Sequence, residues 1–254
     1  MIAPPLEPAG RSGHLPGMGM IRPGTRLLLI LRPEPGASAT LARARAAGFD
    51  AVATPLFEIA PVAATLSCPP GDAVLFTSAN AVRALGAQAA SLAGRRVYAV
   101  GAATAAAARA AGFDEICTGD GDAAAIVARA AADGVRRLLH PTGRDHHAVA
   151  RPDVAIDTRI VYAARPLSGA GEAVAAALRP DAIVLLHSPR AAAAFAGWCD
   201  DLGQDRGVLR LAAISAAAAD SAGAGWAAVA VAAAPTDAAL IDAASRLSAT
   251  PLQG

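Results

Sequence analysis

At 254 residues the chain has room for one large domain or two of ordinary size. Its hydrophobic content of 54% is mainly alanine and its aromatic content is only 4%, so any core must be a closely packed helix-on-sheet core with few large rings. A formal net charge of +1 argues against nucleic acid or an acidic membrane surface as partner.

Residues 1–24 are rich in Pro and Gly and lack an apolar secretory core; they read as a disordered leader, with Met18 or Met20 as alternative starts. Arg26–Leu31 is a short apolar run of the kind found in buried parallel strands. Pro33, Pro35 and Gly36 break it, and Ser38 is expected to cap a helix running to Ala47, stopped by Gly48. Residues 51–62 carry Pro55 and Pro61 and read as an edge ribbon. Strands at 73–77, 96–100, 115–117 and 136–140 then alternate with helices at 79–91, 102–111 and 122–132. A second ribbon covers 159–164. Beyond it come helices at 170–178, 189–201, 216–222 and 236–247, and strands at 182–187, 209–214 and 227–231. Short apolar runs alternating with Ala-rich helices predict parallel sheets covered on both faces. No run reaches the ~18 strongly apolar residues of a membrane span.

A repeat organises these elements. Val74-Leu75-Phe76-Thr77-Ser78 is echoed by Val184-Leu185-Leu186-His187-Ser188, Val97–Gly101 by Leu211–Ser215, and Asp122–Ile126 by Asp237–Ile241. The fold class expected is therefore α/β, with two similar domains, each a parallel sheet flanked by helices. A two-stranded β connector joins them, with a cleft between. Domain A is expected at 25–52 plus 166–250, domain B is inserted at 63–157, and the connecting ladder occupies 53–62 and 158–165.

The residues with chemistry cluster at strand-to-helix junctions. Ser78 and Ser188 are either helix N-caps or ligand contacts, and the two roles are compatible, because helix N-termini at the carboxyl ends of strands also hold anions. Gly101 allows close approach of a ligand to the backbone, and Thr104 falls in the next helical turn as ligand contact or structural residue. Ser215 is the echo of Gly101, followed only by alanines. Gly119-Asp120-Gly121-Asp122-Ala123-Ala124 matches a relaxed dinucleotide pattern, but two carboxylates stand where a pyrophosphate would sit, so Asp122 is read as a cap. Asp145-His146-His147 lacks the companion acids of a metal site, and His187-Ser188 lacks the turn of a hydrolase nucleophile. Tyr162, on the second ribbon, serves either ribbon packing or a ligand; Tyr98 reads as core. All 22 basic residues are Arg, a side chain suited to bidentate carboxylate contacts, and Arg32 and Arg190 are candidates for that role. Three scattered cysteines match neither disulfide framework nor metal spacing, which suggests a reducing, cytoplasmic home.

In this order and spacing, Leu31-Arg32-Pro33, Gly48-Phe49, Pro55-Leu56, Phe76–Val82, Ala99-Val100-Gly101 with Thr104, Gly112-Phe113, Val161-Tyr162 and Ser188-Pro189-Arg190 resemble the uroporphyrinogen-III synthase family over about residues 26–247. The resemblance implies that the linear tetrapyrrole hydroxymethylbilane binds between the two domains. There it loses water and closes, with ring D inverted through a spiro intermediate. No metal or cofactor is implied. Ser78, Thr104, Tyr162 and Ser188 fall on family positions around the cleft, and Tyr162 matches the tyrosine proposed to assist departure of the substrate hydroxyl. Ala217 and Ala218 stand where the family usually carries Thr. The partners expected are the bilane and, transiently, the preceding pathway enzyme, with the chain a monomer. The rival reading is a non-catalytic two-domain module that binds an anionic metabolite. A nucleotide-dependent oxidoreductase would need a fingerprint after the first strand, which Leu31–Gly36 does not supply.

Overall fold

The computed structural model describes residues 26–249. The expected leader and the outermost residues of domain A, 25 and 250, lie outside the described residues. Among the described residues, one sheet contains β1 (Leu27–Ile30), β2 (Asp50–Ala53), β9 (Ile183–Leu186), β10 (Arg210–Ala213) and β11 (Ala228–Val231), in the order β11-β10-β9-β1-β2, parallel throughout. The second contains β3 (Phe57–Pro61), β4 (Ala73–Phe76), β5 (Val97–Ala99), β6 (Ile116–Thr118), β7 (Arg137–Gly143) and β8 (Ala155–Pro166), in the order β3-β8-β7-β4-β5-β6. Only the β3–β8 pair is antiparallel. The fold is thus α/β with parallel-dominated sheets flanked by helices, as expected.

Leaving β3 aside, the two sheets share one order. Strands β9, β10 and β11 correspond to β4, β5 and β6, and β1 and β2 correspond to β7 and β8. The chain enters the first sheet through the pair with which it leaves the second. Each sheet therefore has one point where the strand order reverses: between β1 and β9, and between β4 and β7.

Helices α1 (Gly36–Ala46) and α8 (Asp237–Ala249) cover one face of the first sheet, where Leu28, Ile30, Ile183 and Leu185 meet Ala37, Ala44, Leu240 and Ala244. Helices α5 (Ala170–Ala177), α6 (Pro189–Asp201) and α7 (Ala216–Ala222) cover the other face over Leu29, Leu31, Val184 and Leu211. On the second sheet, α2 (Ala79–Leu85) and α3 (Ala102–Ala110) pack on Val74, Phe76 and Leu139. The opposite face takes α4 (Ala123–Ala132) over Leu75, Tyr98 and Leu138. Alanine at the contact positions lets these helices lie close to the strands, which compensates for the scarcity of aromatic rings. Tyr98 is fully buried and donates to Asp133 Oδ2 at 3.0 Å, so it is a core residue. Across the amino ends of the first sheet, buried Arg210 pairs with Asp181 at 2.8 Å, and Arg26 shares the same carboxylate.

Four local readings change. The ribbon at 51–62 is two strands in different sheets: β2 pairs with β1, and β3 pairs with β8. Pro55, which has no N–H to give, falls between the bonds Thr54 N–H to Ile30 O and Leu56 N–H to Leu31 O, where the chain changes sheets. The second ribbon is part of the twelve-residue β8, which pairs with both β7 and β3, so the ladder is continuous with the second sheet. Ser38 does not cap α1; the Glu34 carboxylate does, accepting from the Ser38 N–H at 3.0 Å and from its hydroxyl at 2.8 Å. The helix expected at 79–91 stops at Leu85, because Gly86 has φ +50° and the chain continues as a 3₁₀ turn to Leu92.

Phe195 is fully buried on α6 and stacks against Trp198 and Trp226, with centroids 6.0 and 5.7 Å apart. Phe195→Ala should cost about 3–5 kcal/mol. The check is denaturant unfolding followed by tryptophan fluorescence, in which the midpoint should fall while the slope stays constant.

Candidate functional site

Every parallel strand in the two sheets ends at the same edge as its neighbours, and most hand over directly to a helix. Ser78 follows β4 in extended backbone and accepts from the Asn80 N–H at 3.1 Å, capping α2. Ser188 follows β9 and accepts from the Ala191 N–H at 3.2 Å, capping α6, and Ser215 follows β10 and caps α7 through the Ala218 N–H at 3.3 Å. Asp122 caps α4, accepting from the Ala124 N–H at 2.8 Å. Gly101 occupies the same position before α3 and has no side chain to cap it. The first turn of α3 therefore keeps N–H groups open for another acceptor. Thr104 lies in that turn and is buried.

At the reversal point of the second sheet, β4, β7 and β8 bring Ser78 and Tyr162 together. The Tyr162 phenol donates to Ser78 Oγ at 3.2 Å. Beside them, Thr77 Oγ1 and His140 Nε2 are 2.9 Å apart. His140 is 1% exposed, and among the described residues its Nδ1 has no hydrogen-bond partner. Loss of hydration pushes its pKa down to about 4, with nearby His146 acting in the same sense, so the ring is neutral at physiological pH.

The reversal point of the first sheet holds a charged cluster. Asp237, at the start of α8, accepts from Arg32 at 2.8 Å, from Arg43 at 2.7 Å and from the Thr40 hydroxyl at 2.9 Å. Burial alone would raise the pKa of this carboxyl. His187, Arg32 and Thr40 outweigh burial and hold it well below the usual carboxylate range. The His187 side chain is buried; among the described residues neither ring nitrogen makes a well-aligned hydrogen bond, and Nε2 lies 3.4 Å from Asp237 Oδ1. Arg32 is thus engaged by the protein itself and packs so tightly on Gly36 that a β-carbon there would come within 2.4 Å of its Nε.

Arg190 links the two sheets. From the first turn of α6 it ion-pairs with Asp145, just past β7, donates to Ala164 O of β8 at 2.9 Å, and lies over the Phe57 ring of β3, 4.7 Å from its centroid. Because Arg190 follows the carboxyl end of β9 and Asp145 that of β7, their pairing sets the two carboxyl edges side by side. Among the described residues, no hydrogen bond or ion pair joins Arg32, Ser188 or Ser215 to the Ser78–Tyr162 pair. An open groove of about 520 Å³ between α2 and α3, lined by Val82, Arg83, Ala103 and Ala107, lies on helix faces and holds none of the Ser78–Tyr162 pair.

The family model for uroporphyrinogen-III synthase HemD matches residues 38–242. The chain belongs to the uroporphyrinogen-III synthase family. Family membership carries the function of a uroporphyrinogen-III synthase. Among solved structures, the uroporphyrinogen-III synthetase of Helicobacter pylori 26695 is similar at a TM-score of 0.58 and 15% identity, covering 88% of this chain and 100% of that one. A uroporphyrinogen III synthase of Thermus thermophilus is similar at a TM-score of 0.40 and 17% identity, over 87% of this chain and 97% of that one. No curated protein sequence matches the chain. Among the described residues, no helix is long and apolar enough to cross a membrane.

Sequence reading missed Thr77, His140 and Gly143, weighed Asp145 only as part of a metal motif, and missed the pairing of Arg32 with Asp237. Gly143 stands in the polar run His140-Pro141-Thr142-Gly143-Arg144 that follows Leu138-Leu139, and nothing local marks it.

The His140 shift carries a stability consequence. An unfolded histidine titrates near 6.5 and takes up a proton that the buried ring refuses. Stability should therefore be full above about pH 6.5 and decline toward pH 4, by up to ~3 kcal/mol from this group. Urea unfolding across that range should show a shallower decline in His140→Gln. An equal decline would assign it to other groups.

Proposed function

We propose that this chain is a hydro-lyase that cyclises hydroxymethylbilane to uroporphyrinogen III, with Tyr162 as its catalytic residue. One observation carries the reading: a tyrosine hydroxyl, 3.2 Å from the cap of a helix, stands at the carboxyl edge of a parallel sheet where the strand order reverses. Open α/β sheets hold their ligands at such points. Ser78 holds the phenol in the free protein, and on binding the phenol turns its single proton from Ser78 Oγ to the departing hydroxyl of the bilane. The hydroxyl leaves as water, and the electron-rich pyrrole supplies the push that breaks the carbon–oxygen bond. Ring D then attacks the methylene left behind through its substituted carbon, breaks its bond to the ring C methylene, rejoins that methylene through its free carbon, and the proton lost from that carbon restores the phenol.

The remaining work is positioning. The bilane bears eight carboxylates. The uncapped turn of α3 behind Gly101, the neighbouring Thr104, and Ser188, Arg190 and Ser215 on the opposite sheet edge offer donors of the right sign. Arg190 can exchange the exposed Asp145 for a substrate carboxylate at little cost, since such surface pairs contribute about 0–1 kcal/mol. Arg32, held by Asp237, stiffens its wall and has less to offer the substrate. The reaction runs in the cytoplasm, with the chain a monomer that receives its bilane from the preceding pathway enzyme. No cofactor enters the scheme.

Tyr162→Phe should lower kcat about tenfold, the equivalent of one hydrogen bond of ~1.4 kcal/mol, and leave the melting temperature unchanged. Steady-state kinetics on enzymatically generated hydroxymethylbilane provide the check. Unaltered kcat would remove Tyr162 from the mechanism.

A further inference from the structure

We infer that Gly143 is a positioning residue for Tyr162, acting by the absence of its side chain; the inference rests on the catalytic reading of Tyr162. A β-carbon built on Gly143 would lie 2.5 Å from Tyr162 Cζ and 2.7 Å from both Cε2 and the hydroxyl oxygen. Atoms do not approach so closely, so any other residue at 143 moves the ring. Gly143 is absent from the glycines with positive φ, so its backbone is one that alanine adopts without strain. Its requirement is for space.

The pairing of β7 with β8 shows why the ring lies there. The register runs residue for residue from Arg137↔Ala155 to Thr142↔Ile160 and then slips, so that Gly143 faces Tyr162 and Val161 is passed over. Such a bulge re-aims side chains next to functional sites. Val161 is buried in the core over α2 and α3, while Tyr162 turns toward Ser78. Two further bonds hold the seat: the Arg144 N–H donates to Tyr162 O at 3.0 Å, and His146 Nδ1 lies 3.0 Å from Gly143 O. Moving the ring to an ordinary contact distance from a new methyl takes about 1 Å, enough to part a hydroxyl pair that begins at 3.2 Å.

A double-mutant cycle tests this. Gly143→Ala should lower kcat about tenfold with KM unchanged, as Tyr162→Phe does, and Gly143→Ala/Tyr162→Phe should be no slower than Tyr162→Phe alone. Unchanged kcat in Gly143→Ala, or multiplied losses in the double variant, would overturn the positioning role. A normal kcat in Tyr162→Phe would instead overturn the catalytic reading on which it rests. Stability supplies a second readout that does not need the reaction. Gly143→Ala should melt lower in the native background but not beside Tyr162→Ala, where the ring is gone. Equal destabilisation in both backgrounds would show that the methyl strikes something other than Tyr162.

Discussion

Parallel strand pairing is the constraint on which the rest of this molecule depends. Parallel strands all finish at one edge, and a strand that hands over to a helix there leaves unpaired N–H groups pointing into solvent. Each such junction needs an acceptor. In this chain Ser78, Ser188, Ser215 and Asp122 supply it from their own side chains. Gly101 does not, and the first turn of α3 keeps its donors for something else. The same constraint that folds the sheets therefore prepares an anion-friendly edge before any catalytic group is considered.

Two such edges are more useful than one for a substrate as long as a linear tetrapyrrole. The sheets share one strand order, and the chain passes between them through β2 to β3 on the way out and β8 on the way back. Arg190 and Asp145 meet where the two carboxyl edges lie side by side. The edges are not equivalent. The first sheet binds its own charges tightly, with Asp237 drawing in Arg32, Arg43 and Thr40. The second leaves a phenol and a neutral buried histidine at its reversal point, and an uncapped helix one strand away, after β5. Such an asymmetry suits a reaction that needs one wall to hold and the other to act, and whose difficulty is geometric rather than acid–base.

Much of this was legible in the residues. Four-residue apolar runs such as Leu27–Ile30 and Ile183–Leu186 read as buried parallel strands because both faces are covered. The Ser caps were legible because capping is local chemistry. The doubled Ser junction pointed to two like units. What stayed hidden depends on partners far along the chain. Nothing near Asp50–Pro61 says that its halves pair with different sheets. The slip that turns Tyr162 inward belongs to the register of β7 against β8, and the bare surface of Gly143 matters only because a residue nineteen positions later lies on it. Nothing near Arg32 says that it pairs with Asp237, more than two hundred residues away. Local signals identified the junctions, whereas tertiary pairing decided which of them carry open chemistry.

If the two edges hold the bilane so that ring D closes inverted, the product itself records it. The most direct measurement is the isomer composition of the product. Hydroxymethylbilane generated in situ closes by itself to uroporphyrinogen I. With the purified chain present, the type III isomer should dominate the oxidised, separated porphyrins. Type I product alone, at the uncatalysed rate, would contradict it.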